Sequence, residues 1–559
     1  MKILLVAVNA KYIHSNLAVY CLKAYTRAYG DQIEIGEYTI NHTKDYILAD
    51  IYKRKPDVVC FSCYIWNSLY VRDLICELGK VLPKVPVWAG GPEVSYDAET
   101  FLQENPNVTG VMRGEGEEIF RNLCKFYLEE GNLGEIKGIT YRDQEGVHCN
   151  ENQPPIQMDQ IPFYYKDVKE FEHRIIYYES SRGCPFQCSY CLSSVDKTLR
   201  FRSMNLVKEE LRFFLQAKVP QVKFVDRTFN CNHEHAMDIW NFIKEQDNGS
   251  TNFHFEIAGD LLTCEEVEFL ATLRPGLVQL EIGVQTTNEK VIQIIRRVMD
   301  FQKVASRVEK IKDGHNIHQH LDLIAGLPLE DLKSFQTSFD AVYELRPQQL
   351  QLGFLKVLKG SFMEEHAAEY GILYHSQPPY EVLSTRELSF GDMICLKQIE
   401  EVLEVYYNSG QYQTTIGLLN LQFQSAYQMY ASLADFYQER NYFNISHSRM
   451  KRYEILLEFI ETVDRIHLSC YKEALTYDLY LRENLKSRPD FAPDYAVDKE
   501  MRGYLKGRRA HIEKFSFDFI TLEAYRAQAY PEQKETYILF DYDRRNPQSA
   551  QAAVERYQR

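Results

Sequence analysis

Residues 175–191 read Ile175-Ile176-Tyr177-Tyr178-Glu179-Ser180-Ser181-Arg182-Gly183-Cys184-Pro185-Phe186-Gln187-Cys188-Ser189-Tyr190-Cys191. The apolar run Ile175–Glu179 predicts a strand. Val207, Leu211, Phe214 and Leu215 fall at i, i+4, i+7 and i+8 and predict a helix beyond it. Between the two lies a loop with three thiols in eight residues. Such a loop sits at the mouth of a βα barrel, where these barrels keep their chemistry. Further strands are predicted near Val222–Val225, Phe253–Ile257, Val278–Gly283, His320–Ala325 and Leu350–Leu355, with helical patterns between them. Six such units suit a partial (βα)6, TIM-like barrel.

Upstream, short β-branched runs alternate with helical patterns. Strands are expected at Lys2–Val8, Ile33–Ile40, Val58–Ser62, Val85–Trp88 and Gly110–Met112. Strands buried on both faces with helices between them make a doubly wound parallel sheet of Rossmann-like type, which takes ligands at the carboxyl ends of its strands. Lys137–Asn150 reads as a polar hairpin turning at Asp143-Gln144-Glu145-Gly146, and Pro154-Pro155 with Pro162 mark a linker. Beyond about Tyr380 the pattern is mostly helical, with Gly410 as a stop for the run beginning near Asp392 and Tyr537–Phe540 as one late strand. The fold class is therefore α/β. The expected domains are 1–135 for the first sheet, 136–169 for hairpin and linker, 170–398 for the barrel, and 399–559 for a mostly helical extension.

A chain of 559 residues is too long for one core. The N-terminal run Met1–Asn9 carries no cleavage-site pattern and is too short to span a bilayer, as is every other apolar stretch. A cytoplasmic protein without membrane contact is expected, its 13 cysteines being thiols or metal ligands rather than disulfides. A net charge of −15 disfavours nucleic acid as a partner. Lys499, Arg502, Lys506, Arg508, Arg509, His511 and Lys514 form a basic run open to an anionic substrate or RNA, although a solvated helix face is the simpler reading.

Full protein ligation of an iron–sulfur cluster takes four cysteinates. Cys184, Cys188 and Cys191 offer three, with no fourth Cys or His nearby, which leaves one iron open to an outside ligand. A structural zinc site would need a fourth protein ligand. Burial as small hydrophobes is the usual fate of a lone cysteine rather than of three at this spacing. Cys60 and Cys63 straddle a predicted strand and read as buried thiols.

Ser180-Ser181-Arg182-Gly183-Cys184-Pro185-x-x-Cys188-x-Tyr190-Cys191 resembles the signature of radical S-adenosylmethionine (SAM) enzymes. The resemblance implies a [4Fe-4S] cluster on the three cysteines, SAM chelated to the open iron, and reductive cleavage to a 5′-deoxyadenosyl radical. Tyr190 would lie near the adenine. Later segments match in order: Phe224-Val225-Asp226-Arg227, Phe255-Glu256-Ile257, Glu281-Ile282-Gly283-Val284-Gln285 and Asp322-Leu323-Ile324-Ala325-Gly326-Leu327-Pro328. They add Asp226, Glu256, Glu281 and Gln285 to the expected SAM contacts. Acids at the ends of apolar strands need partners, so ion pairs with Arg200, Arg202 or Arg227 are the alternative for Asp226, Glu256 and Glu281. Arg227 stands where many relatives carry a second Asp.

A parallel sheet ahead of such a barrel resembles the cobalamin-binding class of that superfamily, in a branch with an uncharacterised C-terminal extension. The loops after the third, fourth and fifth strands supply Ser62, Tyr64, Gly90, Gly91, Glu93, Gly114 and Glu115 as expected cobalamin contacts. Small residues there admit a bulky nucleotide tail, although Gly90-Gly91 would also serve a tight connection. His14 is expected to line the pocket. It is not assigned to cobalt, because the Asp and Gly of the Asp-x-His-x-x-Gly pattern are missing.

The resemblance implies a methyltransferase acting on an unactivated carbon of an unknown small-molecule or peptide substrate, with a flavodoxin or ferredoxin as electron donor. Rearrangement or methylthiolation without net methyl transfer, and a non-catalytic cobalamin or redox sensor, are the alternatives. No other catalytic residue is identified.

Overall fold

In strand β1 (Ile3–Asn9) every residue is buried, because successive side chains feed two cores. Leu4, Val6 and Val8 join Val59, Phe61, Leu74 and Leu78 on one side of the sheet. Ile3, Leu5 and Ala7 join Cys60, Trp88, Ile119 and Leu123 on the other. This computed structural model describes residues 1–195, 197–495, 505, 507–522 and 527–557. It divides into two units, Met1–Leu262 with Ile292–Val298 and Phe354–Arg386, and Thr263–Val291 with Met299–Gly353 and Glu387–Arg559.

In the first unit β1 is joined by β2 (Ile33–Thr39), β3 (Val58–Ser62), β4 (Val87–Gly90), β5 (Gly110–Met112), β6 (Ile139–Arg142) and β7 (Val147–Cys149), in the order β2-β1-β3-β4-β5-β6-β7. The first five are parallel. The hairpin that the sequence places after this sheet in fact extends it: β6 pairs antiparallel with β5, and β7 with β6. An added antiparallel pair covers an otherwise open edge. Gly110 on β5 has no room for a side chain, since a Cβ there would lie 2.4 Å from the Trp88 ring.

The same unit holds parallel strands β8 (Ile176–Tyr178), β9 (Gln221–Phe224) and β10 (Asn252–Ile257). Helix Met204–Gln216 between β8 and β9 buries Val207, Leu211, Phe214 and Leu215, the face given by their spacing. Helix His233–Glu245 follows β9.

The second unit holds β11 (Val278–Gln285), β12 (His318–Ala325) and β13 (Gln349–Phe354), the first two parallel. Beyond them helices Phe390–Leu403, Gln413–Leu419, Ala426–Glu439, Arg449–Val463 and Leu468–Arg482 form a tyrosine-rich body. Helix Phe390–Leu403 starts on a Ser389–Asp392 capping box, and the chain turns at Gly410 in the left-handed region. Tyr406 and Tyr437 share a hydrogen bond of 2.6 Å in that interior.

One expectation is corrected here. The extension is not closed by a single late strand: β14 (Ala510–Phe517), β15 (Gln533–Arg545) and β16 (Ala552–Arg556) form an antiparallel sheet. The basic run belongs partly to it. Lys499, Arg502 and Lys506 lie outside the described residues, whereas His511 and Lys514 are strand residues paired with Glu513 and Glu535. They are not the face of a helix. No helix among the described residues is long and apolar enough to cross a membrane, and all 13 cysteines are free of disulfides.

Candidate active site

After β8 the chain enters the cysteine loop through Gly183, whose φ of +90° and position fit only glycine: a Cβ would lie 2.4 Å from the Thr198 carbonyl oxygen. Cys184 and Cys188 are buried and Cys191 is half-buried. The Ser189 N–H donates to the Ile295 carbonyl at 2.8 Å, and the Met363 N–H donates to the Ser189 carbonyl at 3.0 Å, so the loop is held from two sides. Three thiols on one braced loop, with no fourth cysteine or histidine at that spacing, fit a cluster with an open iron.

Asp226, two residues beyond β9, is the main brace. It accepts hydrogen bonds from the Ser180 N–H at 3.0 Å, the Ser180 hydroxyl at 2.6 Å and the Ser181 hydroxyl at 2.6 Å. It is fully buried, and burial holds its carboxyl above the usual carboxylate range against the pull of those serines. The sequence suggested arginines as the partners of Asp226 within the protein, and the structure gives it serines. Ser180 also lies 3.0 Å from His235 Nε2, a ring whose pKa burial pushes down to about 4. Arg200 pairs with Glu115 and Arg202 with Glu210. Glu256 lies 3.8 Å from Lys223, another partner that the sequence did not suggest.

Arg297, 109 residues from Cys188, carries no signal in the sequence. Its guanidinium lies 3.9 Å from the Cys188 sulfur and donates to the Tyr190 hydroxyl at 3.3 Å. Burial raises the Cys188 thiol pKa and Arg297 opposes the rise. A buried cation beside a thiolate favours the form that binds metal.

A cavity of about 740 Å³ opens at the carboxyl ends of β3, β4 and β5. Ser62, Tyr64, Gly90, Gly91, Gly114 and Glu115 line it, together with Cys21, Glu117, Glu179 and Arg182. Gly91 has a φ of +111°, and a Cβ there would stand 2.4 Å from the Cys63 carbonyl oxygen; Gly114, at +83°, faces open space. This cradle of bare backbone fits a large cofactor at the place where a doubly wound sheet takes one. Glu115 is engaged by Arg200 at 2.6 and 3.0 Å and by the Ile156 N–H at 2.8 Å.

Two of the residues expected at the cofactor have partners within the protein. Glu93 does not line the cavity: it turns into the protein, accepts a hydrogen bond from Tyr380 at 2.9 Å, and has its carboxyl pKa raised by burial. His14 is also absent from the lining, its Nδ1 being 2.6 Å from the Tyr177 hydroxyl. No histidine lines the cavity among the described residues.

In the second unit β11 ends at Gln285, a non-glycine residue at φ +73° whose buried Oε1 has no hydrogen-bond partner. A strained backbone and an unpaired acceptor at a strand end are what a ligand-contacting residue would show. Next to it Thr286 donates to Glu330 at 2.5 Å, and burial pushes that carboxyl up to about 7. Glu281 converges with His320 and Asp322, their ligand atoms lying within 4.8 Å of one another.

Comparison with known families gives a B12 binding domain over residues 3–124 and a radical SAM superfamily domain over 178–342. The chain pairs a B12-binding domain with a radical SAM domain. A protein family of unknown function, DUF4080, covers residues 368–523. An uncharacterized methyltransferase of Pyrococcus horikoshii is 25% identical over 342 residues, 58% of this chain and 72% of that protein. The hopanoid C-3 methylase of Methylococcus capsulatus is 26% identical over 291 residues, and this chain spans only about half its length, 54%. Among solved structures, the cobalamin-dependent S-adenosylmethionine radical enzyme OxsB, with aqua-cobalamin and S-adenosylmethionine bound, has a TM-score of 0.58 at 16% identity. That match covers 85% of this chain and 78% of OxsB, and shows a shared fold.

Proposed function

We propose that this B12-binding radical SAM protein is a cobalamin-dependent enzyme that methylates an unactivated carbon of a small-molecule or peptide substrate. The observation that carries the reading is the lining of the 740 Å³ cavity: Glu179 and Arg182, which lead directly into Cys184, form part of it. A cofactor cradled by Gly91 and Gly114 would thus adjoin the cysteine loop. Once bound, the cluster with SAM would supply a 5′-deoxyadenosyl radical and cobalamin a methyl group.

The chain's own groups have defined tasks under this reading. Cys184, Cys188 and Cys191 hold the cluster, and Arg297 offsets thiolate charge. Ser180, Ser181 and Asp226 fix the loop, Tyr190 contacts SAM, and Arg182 joins the loop to Glu117 at the cavity wall at 2.6 Å.

The test is anaerobic reconstitution with iron, sulfide and hydroxocobalamin, reduction by a flavodoxin or ferredoxin system in the presence of SAM, and chromatography of the products. Bound corrin with 5′-deoxyadenosine and S-adenosylhomocysteine supports the proposal. Deoxyadenosine alone points to chemistry without methyl transfer, neither product from loaded protein in candidate-substrate screens points to a sensor, and failure to bind a cluster overturns the reading.

A further inference from the structure

Glu179 directly follows β8, five residues before Cys184. It lines the 740 Å³ cavity together with Glu117 and Arg182. Arg182 donates from Nε to Glu179 at 2.9 Å and from a terminal nitrogen to Glu117 at 2.6 Å, so one guanidinium serves two carboxylates. The other charges of the lining, among the described residues, are engaged elsewhere. Arg200 holds Glu115 at 2.6 Å, and Arg113 donates to the Asn152 side chain at 2.8 Å and to the Asn150 carbonyl. Burial first, then repulsion from Glu117 and Asp226, holds the Glu179 carboxyl above the ordinary range against the pull of Arg182. Its hydrogen bond with Arg182 occupies Oε2, and the side chain keeps 19% exposure.

A second pocket, of about 40 Å³, meets the same carboxylate. Cys21 and Glu179 belong to both linings, and Phe163, Tyr164, Tyr177 and Tyr178 give the smaller one an aromatic wall. Arg202 and Glu210 beside them neutralise each other at 2.5 Å. A pocket of this size admits one small head group and not a whole substrate. Buried charge calls for an opposite charge, and aromatic surroundings favour a cation. A hydroxyl would leave two carboxylates on one guanidinium, and an anion would add to their repulsion.

We propose that Glu179 binds a cationic nitrogen of the substrate, an alkylammonium or guanidinium group, where the two pockets meet. Such a substrate deepens the reading of the large cavity as a cobalamin site, on which the assignment rests: an amine-bearing molecule is anchored by its charged end beside the cysteine loop. Glu117 keeps Arg182 as its partner while the substrate's cation joins Glu179.

The test uses the full-length protein carrying cluster and hydroxocobalamin, titrated with n-butylammonium chloride and, as controls of matched size, 1-butanol and butyrate at constant ionic strength. Thermal midpoint and corrin absorbance are read together. Butylammonium is expected to raise the midpoint saturably, with an affinity about tenfold or more above that of 1-butanol, and butyrate to have no effect. Glu179→Gln, which leaves Arg182 and Glu117 as a balanced pair, should lose the preference for the amine at unchanged iron and corrin content. Equal response of the wild-type protein to amine and alcohol overturns the proposal, whatever the variant does. So does an amine preference retained by Glu179→Gln, or loss of corrin from that variant, which would assign the carboxylate to the corrin amides. The same titration followed by thermal midpoint on protein without corrin should show the same preference, so failure of the cofactor reading is told apart from failure here.

Discussion

Arg182 donates to Glu117 at 2.6 Å, tying the residue two positions before the first cysteine to the start of helix Gly116–Glu129 in the B12-binding domain. The same guanidinium donates to Glu179 at 2.9 Å. The side chains of Arg182 and Glu117 retain 15% and 6% exposure, so this is a largely buried network. Removing one partner of such a network strands charges rather than merely deleting a contact.

Arg182→Ala is therefore expected to cost about 3–5 kcal/mol and to lower both the thermal midpoint and corrin retention. Adding Glu117→Gln removes one stranded charge and should recover part of the loss. Thermal unfolding and corrin absorbance of the single and double variants check this, and a double variant no better than Arg182→Ala would refute it.

Cys188→Ala should abolish assembly of the cluster and all SAM cleavage while leaving corrin binding intact, because the cavity lining does not include Cys188. Iron content and deoxyadenosine yield read the first effect, and corrin absorbance the second. Full iron content in the variant would remove Cys188 from the ligand set.

Gly91→Ala should act in the opposite sense. Its φ of +111° and the Cys63 carbonyl oxygen 2.4 Å from the added carbon force the β4 loop to shift. Corrin should be lost and iron kept. Wild-type corrin affinity in the variant would show that the loop does not cradle the cofactor.

His235 supplies a pH dependence. Its folded pKa of about 4 lies below the ordinary 6.5, so the unfolded chain binds more protons between those values. The stability contributed by neutral His235 is whole above pH 6.5 and is lost as pH falls towards 4, by about 1.4 kcal/mol per unit at most. Asp226 shifts the opposite way, so the test compares wild type with His235→Asn. The gap between their thermal midpoints should narrow from pH 7 to pH 4.5, and a constant gap would assign His235 no titrating role.

The cysteine loop was legible in the sequence because its ligands are contiguous, and the first sheet because strands buried on both faces read as unbroken apolar runs. The direction of a loop side chain was not: His14 and Glu93 lie in the expected loops but point to Tyr177 and Tyr380. Arg297 escaped notice because its contact with Cys188 spans 109 residues and leaves no local pattern. β14 was hidden by its charges, since Glu513 and Lys514 look like solvent-facing residues until Arg488 and Glu535 are seen beside them.

The hydrogen bonds from Ser180 and Ser181 to Asp226 consist of protein groups alone. In a zinc finger the metal and the fold arrive together; here the approach to the first cysteine has a brace of its own, made by Asp226 with Ser180 and Ser181. That brace divides the labour along the chain: carboxylate and hydroxyls position the strand end, and the three thiols that follow are left to the metal.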